Sequence, residues 1–229
     1  MTNPIISVII PVYNEKATIK EAIRRVQKQR IKKEIIIIDD FSTDGTRNIL
    51  RKIKDKNIKI IFQHKNYGKG LAIRKAIEHI TGSIVIIQDA DLEYSPEDYD
   101  KLIQPIINGK AKVVYGTRFP KGRKMSISKL FLLGNKTLTF LSNLLYNTKI
   151  TDEATCYKVF DAKVFKSINL ACKRFEFCPE ITAKLAKKGY KITEIPITYN
   201  PRTKAEGKKI KWKDGFIAIF TLIKYKFIN

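Results

Sequence analysis

The chain has 229 residues, with 45 Lys+Arg against 22 Asp+Glu and a formal net charge of +23; that is enough for one large domain with a real core and too little for two comfortable ones. The charge favours anionic partners (nucleic acid, phosphorylated small molecules or an acidic membrane face) without choosing among them. Cys156, Cys172 and Cys178 are odd in number and form no CxxC pair, which argues against a disulfide framework or a zinc site and points to a reducing cytoplasm.

The opening MTNPIISVIIPVYNE has a short apolar run with no basic residues before it and no small-residue cleavage site after it, so no secretory signal is expected. No run approaches the ~18 to 20 apolar residues of a spanning helix, so any membrane contact is expected to be peripheral.

In chain order, residues 5–11 (IISVIIP), 34–40 (EIIIIDD), 58–63 (IKIIFQ) and 83–89 (SIVIIQD) are short, β-branched and nearly continuous apolar runs, the texture of parallel strands covered on both faces. Between them, 15–29, 44–56 and 68–81 place apolar residues at helical spacing. This alternation predicts a doubly wound, mostly parallel sheet with ligands beyond the carboxyl ends of its strands. Residues 111–119 (AKVVYGTRF) predict a fifth strand, 125–147 and 179–190 predict helices, and 191–200 (KITEIPITYN) predicts a late strand. The expected organisation is a catalytic domain over 1–200, followed by a basic loop and an amphipathic helix over 201–229.

The unusual polar residues fall at the predicted strand ends: PVYNE, DDFSTDGT, HKNYGKG and DADLE. Asp89 and Asp91 flank Ala90, so in extended backbone both side chains point the same way, with Cα atoms roughly 6 to 7 Å apart. Such a pair can share a hard divalent cation, Mg²⁺ or Mn²⁺, with Glu93 adding a further oxygen; the plainer reading is solvated carboxylates ahead of a helix capped by Ser95. In DDFSTDGT, Asp44 or Ser42 is expected to cap a helix, which leaves Asp39 or Asp40 to meet a base or ribose. HKNYGKG matches no phosphate-loop pattern, but Gly68 and Gly70 permit close backbone approach and Lys69 is placed to face an anion; a plain helix start explains the glycines equally well.

Taken together, SVIIPVYNE, IIIIDDFSTDGT, NYGKGLA and IQDADLE resemble the family 2 glycosyltransferases of the GT-A fold. GTRF, TDEATCYKVF, FCPEITAKLAKKGYKITEIPITYNPRT and EGKKIKWKDG resemble the branch containing dolichyl-phosphate mannosyltransferases and bacterial polyprenyl-phosphate glycosyltransferases, over about residues 5 to 215. The resemblance implies a GT-A nucleotide-diphospho-sugar transferase. Pro11, Tyr13, Asn14 and Glu15 would border the nucleoside and Asp40 would recognise base or ribose. Asp89 and Asp91 would bind the diphosphate through the metal, with Glu93 where relatives often have Gln. Arg118, Lys129 and Arg202 would face phosphates of donor or acceptor, and Lys208 and Lys209 would close over them. Asp152 would be an acceptor-side carboxylate, although TCYKVF departs from the TSGFR of many relatives, so that Asp152 and Lys158 match the pattern only in part.

The implied reaction is inverting transfer of a hexose from GDP-mannose or a UDP-sugar to a polyprenyl phosphate at the inner face of the cell membrane. A hydroxyl acceptor is the alternative within the fold. A nucleic-acid-binding module would explain the charge, but it does not explain a cleft carrying Asp39, Asp40, Asp89, Asp91 and Glu93. Lys121, Arg123, Lys124, Lys129 and Lys136 add basic charge over 121–136 with no acidic residue. In the tail, Trp212, Phe216, Ile219, Phe220, Ile223 and Phe227 form an apolar stripe flanked by Lys211, Lys213, Lys224 and Lys226; an interfacial membrane helix and a helix packed on the domain fit it equally.

Overall fold

A computed structural model describes residues 6–119, 129–202, 209 and 212–228, with the backbone alone at 129, 130 and 212. The calls at Lys121, Arg123, Lys124, Lys208 and Lys211, and those on the side chains of Lys129 and Trp212, lie outside what is described.

The apolar runs form the expected strands: β1 (Ile6–Val12), β2 (Lys33–Asp39), β3 (Ile58–Phe62), β4 (Ile84–Ile87), β5 (Val113–Thr117) and β7 (Ile192–Pro196). The intervening helices are α1 (Ile19–Lys28), α2 (Thr46–Leu50), α3 (Lys69–Ala76), α4 (Tyr99–Ile107), α5 (Lys129–Tyr146), α7 (Phe177–Lys187) and α8 (Trp212–Phe227). Two elements are absent from the sequence reading, the strand β6 (Lys158–Asp161) and the short helix α6 (Ala162–Lys166), which Asp161 caps by accepting from the backbone N–H groups of Lys163 and Val164.

The sheet order is β3-β2-β1-β4-β6-β5-β7. All neighbours are parallel except β6, which runs antiparallel to both β4 and β5. Four residues, the last three of TCYKVF and Asp161, were too few and too mixed to announce a strand, and only pairing on both sides makes them one. β1 lies between β2 and β4, so the winding reverses there and opens a crevice beyond the carboxyl ends of β1 and β4.

Alternation along β1 sends Val8 and Ile10 to one core and Ile9 to the other. The first core packs α1 and α4 against the sheet, with Leu50 of α2; the second packs α3, α6 and α7. The sheet is therefore covered on both faces, which is why its strands read as continuous apolar runs.

One charged group is sealed into this scaffold. Lys158 on β6 is fully buried, its ammonium 3.4 Å from the Tyr115 ring centroid and bonded to the Glu153 carbonyl at 3.0 Å. The carboxyl of Glu153 is also fully buried, and burial pushes its pKa up while the Lys158 charge opposes that rise. Replacing Lys158 by Ala leaves that carboxyl without its cation and is expected to cost about 3 to 5 kcal/mol, read by urea unfolding. Glu153→Gln, which removes the charge and keeps the shape, should cost much less.

Candidate active site

Every strand that ends at the crevice turns sharply. Asn14, Phe41 and Leu92 take left-handed backbone, at φ 50°, 65° and 65°, just after β1, β2 and β4. Non-glycine residues adopt this conformation rarely, and here surrounding contacts fix it. Asn14 accepts from Thr43 N–H at 2.8 Å while its own N–H donates to Ser42 Oγ at 2.9 Å. Asn14 therefore ties the β1 loop to the β2 loop. Asn14 was expected beside the nucleoside; its side chain is not among those lining the cleft, and its carbonyl accepts from Lys209 at 3.3 Å.

The cleft holds about 400 Å³, the size of a small-ligand site. Of the residues singled out in the sequence, Pro11, Tyr13, Glu15, Asp40, Lys69, Asp89, Asp91, Glu93, Arg118, Arg202 and Lys209 line it. Residues separated by nearly 200 positions thus meet in one space.

The cleft carboxylates are interleaved with cations. Asp89 pairs with Lys69, and Asp91 Oδ2 accepts from Arg202 at 2.9 Å. Glu15 is the hub of the opposite wall, accepting from Arg202 at 3.2 and 3.3 Å and from Lys209 at 2.7 Å. Glu93 accepts from the backbone N–H of Arg202 at 2.7 Å and from the Tyr199 hydroxyl at 3.2 Å. The negative charge is incompletely balanced: burial, then the charges of Asp89 and Glu93, push the Asp91 carboxyl up to about 7 against the opposing pull of Arg202.

Arg118, at the end of β5, is almost fully buried and forms a two-pronged pair with Asp152, Nε and Nη2 both at 2.8 Å, while its own N–H reaches the same carboxylate at 2.9 Å. Its guanidinium lies 5.2 Å from the ring centroid of Tyr199 and 5.5 Å from that of Phe131. Asp152 is fully buried and does not line the cleft. Asp152 was expected as an acceptor-side carboxylate; in the structure both its oxygens accept from Arg118. Glu194 on β7 fixes Asp152 in turn, accepting from the N–H groups of Thr151 at 2.7 Å and Asp152 at 3.0 Å.

Of the two β2 carboxylates, Asp39 is buried and bonded to Arg47 at 2.6 Å, and only Asp40 lines the cleft. Asp40 accepts from Gln63 at 2.9 Å and from the N–H groups of Tyr67 and Gly68 at 2.8 and 2.7 Å. Burial still pushes its carboxyl up. Its oxygens organise the loop before α3. The capping assignments change as well: Asp44 accepts from Thr46 N–H at 2.9 Å, whereas Ser95 makes no side-chain cap and donates to Glu97.

The glycines of that loop answer to packing. Gly68 has φ +98°, and a Cβ there would lie 2.5 Å from the Lys173 carbonyl; one at Gly70 would lie 2.9 Å from that of Arg174. The N–H groups of Gly70 and Leu71 donate to Arg174 and Lys173 carbonyls, each at 3.0 Å. Residues 172–174 are thereby clamped onto the loop, which carries Arg174 and Phe175 to the cleft. Sequence reasoning missed these two, and also Tyr94, Tyr199, Phe131 and Cys156. Tyr199, three residues before the noted Arg202, was the nearest to a legible signal.

A metal was expected on Asp89, Asp91 and Glu93. Among the described residues no three His, Cys, Asp or Glu side chains are grouped to hold one. Asp89 and Asp91 still offer only oxygen donors, which fits a hard cation that completes its shell with substrate phosphates. Glu93 faces Tyr199 and the Arg202 backbone, so it supports the cleft wall.

Residues 7–168 match the model of Glycosyl transferase family 2. The chain belongs to this family. It is 31% identical over 251 residues to the UDP-N-acetylglucosamine–dolichyl-phosphate N-acetylglucosaminyltransferase of Methanococcus voltae, covering 99% of this chain and 98% of that one. To the dolichol-phosphate mannosyltransferase of Pyrococcus furiosus it is 29% identical over 215 residues, covering 89% of this chain and 58% of the relative. Against two further relatives it spans 63% and 52% of their length. The solved structure of Mycobacterium tuberculosis glucosyl-3-phosphoglycerate synthase in complex with Mn²⁺, UDP and phosphoglyceric acid matches with a TM-score of 0.74 at 18% identity, covering 99% of this chain and 80% of that one. The fold is that of the GT-A glycosyltransferases, and the chain is a glycosyltransferase.

Two substitutions, with a third as control, test this reading of the site. Gly68→Ala should cost about 2 kcal/mol or more and loosen residues 172–174 in hydrogen exchange, because strain and a backbone clash coincide. Gly109→Ala, where φ is +69° and nothing lies within 4 Å of the added Cβ, should cost only about 1 kcal/mol. Asp152→Asn should lower turnover at least tenfold by releasing Arg118, with nucleotide affinity nearly unchanged in a binding titration.

Proposed function

We propose that the cleft transfers a hexose, with inversion, from a nucleoside-diphosphate sugar to the phosphate of a polyprenyl lipid. The observation that carries this reading is the distribution of charge. Asp89 and Asp91 stand together on one wall, while Lys69, Arg118, Arg202 and Lys209 all reach the same space from other elements. Such an arrangement suits two phosphate-bearing substrates that must be brought together despite their mutual repulsion.

Pro11 and Tyr13 border the nucleoside, with Asp40 placing the Tyr67–Gly68 loop beside it. Asp89 and Asp91 would hold a divalent cation, Mg²⁺ or Mn²⁺, which when bound neutralises charge on the diphosphate. Lys69 and Arg202 compensate the growing charge of the leaving group. Arg118, oriented by Asp152, faces the acceptor phosphate, and Lys209 enters the cleft by donating to Glu15. Lys129 and Lys208 are assigned to acceptor contact on the resemblance alone.

In the chemical step an acceptor phosphate oxygen attacks the anomeric carbon, the bond from that carbon to the diphosphate oxygen breaks, and the electron pair leaves with the nucleoside diphosphate. A phosphate acceptor is already ionised near neutral pH, so no base has to remove a proton. This agrees with Asp152 being sealed under Arg118. A hydroxyl acceptor would need a base, and Asp152 cannot reach one. The relatives named for dolichyl phosphate acceptors support the lipid; mannose, glucose and N-acetylglucosamine all remain to be tried as the sugar. No nucleic acid partner is proposed, since the carboxylates lining the cleft repel a polyphosphate backbone.

The test is a thermal-shift series with UDP and GDP, each with and without Mn²⁺, on the wild type and on Asp91→Asn. One nucleotide with Mn²⁺ is expected to raise Tm by roughly 5 to 10 °C at a hundredfold excess over Kd, and the variant to lose the effect. The stabilising donor should then yield a lipid-phosphate sugar with a short-chain polyprenyl phosphate. No shift with either nucleotide would overturn the proposal.

A further inference from the structure

Five of the described cations line the cleft, and four of them are already matched to a carboxylate of the protein. Lys69 pairs with Asp89, Arg118 with Asp152, Arg202 with Asp91 and Glu15, and Lys209 with Glu15. Arg174 is the exception. It is exposed and lines the same space, yet among the described residues its guanidinium makes no hydrogen bond and no ion pair.

The fold fixes the backbone of this residue without using its charge. Its carbonyl accepts from Gly70 N–H at 3.0 Å, and its own N–H donates to Glu176 Oε2 at 3.1 Å. Glu176 Oε1 accepts from Lys173 N–H at 2.8 Å. Both oxygens of the nearest carboxylate in sequence are therefore turned to the backbone, and the guanidinium is left unneutralised. A Cβ on Gly68 would lie 2.9 Å from Arg174 Cγ, so the stem of the side chain leans over Gly68. The Gly68 N–H is bonded to Asp40, and the next residue, Lys69, reaches Asp89. Arg174 thus stands over the loop that joins Asp40 to the Lys69–Asp89 pair, on the side of the cleft that the proposed reaction gives to the donor.

We infer that Arg174 is a further donor-binding residue, which receives an anionic oxygen of the nucleoside-diphosphate sugar. Its guanidinium presents N–H donors in a fork that matches the paired oxygens of a phosphate or a carboxylate. The four paired cations must share or give up a carboxylate to meet a substrate. Arg174 has none to give up, so its partner comes with the ligand, and its fixed backbone limits the ordering that binding requires. A donor can bring such oxygens from two sources, the diphosphate itself and the carboxylate of a uronic sugar. The inference rests on the proposed transfer reaction, to which it adds a residue and a means of reading the donor.

The test is calorimetric titration of the whole chain with UDP, UDP-glucose, UDP-glucuronate, GDP and GDP-mannose, each with Mn²⁺, on the wild type, Arg174→Ala and Arg174→Lys. Arg174→Ala should bind the donor about tenfold more weakly, and Arg174→Lys, which keeps the charge and loses the fork, should recover part of the loss. Tm and hydrogen exchange at residues 172–174 should match the wild type in both variants, because the clamp on the Gly68 loop is made by backbone groups. A loss already present with UDP or GDP assigns the contact to the diphosphate, and a loss confined to UDP-glucuronate assigns it to a sugar carboxylate. A loss confined to UDP-glucose or GDP-mannose, whose sugars carry no anionic group, overturns the assignment. So does a fall in Tm that accompanies equal losses with every probe, since Arg174 would then be structural. Unchanged affinities in Arg174→Ala, beside a wild type that binds, overturn this inference and leave the transfer reaction standing; a wild type that binds none of the probes removes both.

Discussion

Carboxylates at the ends of buried strands are costly to desolvate, and the cleft is built around holding several of them in place. Arg202 is the central tie. It reaches Asp91 and Glu15 with its guanidinium and Glu93 with its backbone, joining the ends of β1 and β4 to the segment that follows β7. Without such ties the acidic turns would repel one another. Even with them, burial and then the charges of Asp89 and Glu93 push the Asp91 carboxyl up to about 7, against the pull of Arg202.

A second tier holds the cations. Glu194 fixes the backbone of Thr151 and Asp152, Asp152 fixes Arg118, and Arg118 stands beside Tyr199 and Phe131. This relay passes through β5, β7 and α5, with both strands on the opposite side of β4 from β1, β2 and β3. The antiparallel strand β6 makes it possible by joining β4 to β5. The two ends of the cleft are thus separately supported.

The scaffold also explains how a basic chain gathers five carboxylates in its cleft. Inside, carboxylates and cations alternate at hydrogen-bonding distance, so the local field is set by pairs and not by the net charge of +23. Lys69 and Lys209 are the described lysines that line the cleft, and the other described lysines lie elsewhere. Net charge constrained the class of partner, and its location on the molecule decides which surface meets that partner.

The sequence alone determined the alternation of strands and helices, the carboxyl-end location of the site and most of its polar members, because continuous apolar runs and polar turns are local signals. The ordered motifs carried the family. Tertiary structure decided the rest. It turned Asn14 from the cleft to the β2 loop, placed Asp152 beneath Arg118 and engaged Glu93 with Tyr199, because side-chain partners come from distant elements whose approach no local pattern encodes. It also inserted β6, a strand only by virtue of its neighbours, and showed that Gly68 and Gly70 admit residues 172–174. For α8 the sequence left two readings of one apolar stripe; packing resolved them by giving the helix two apolar sides, one against α5 and α7 and one open, since burial is a property of the assembled fold.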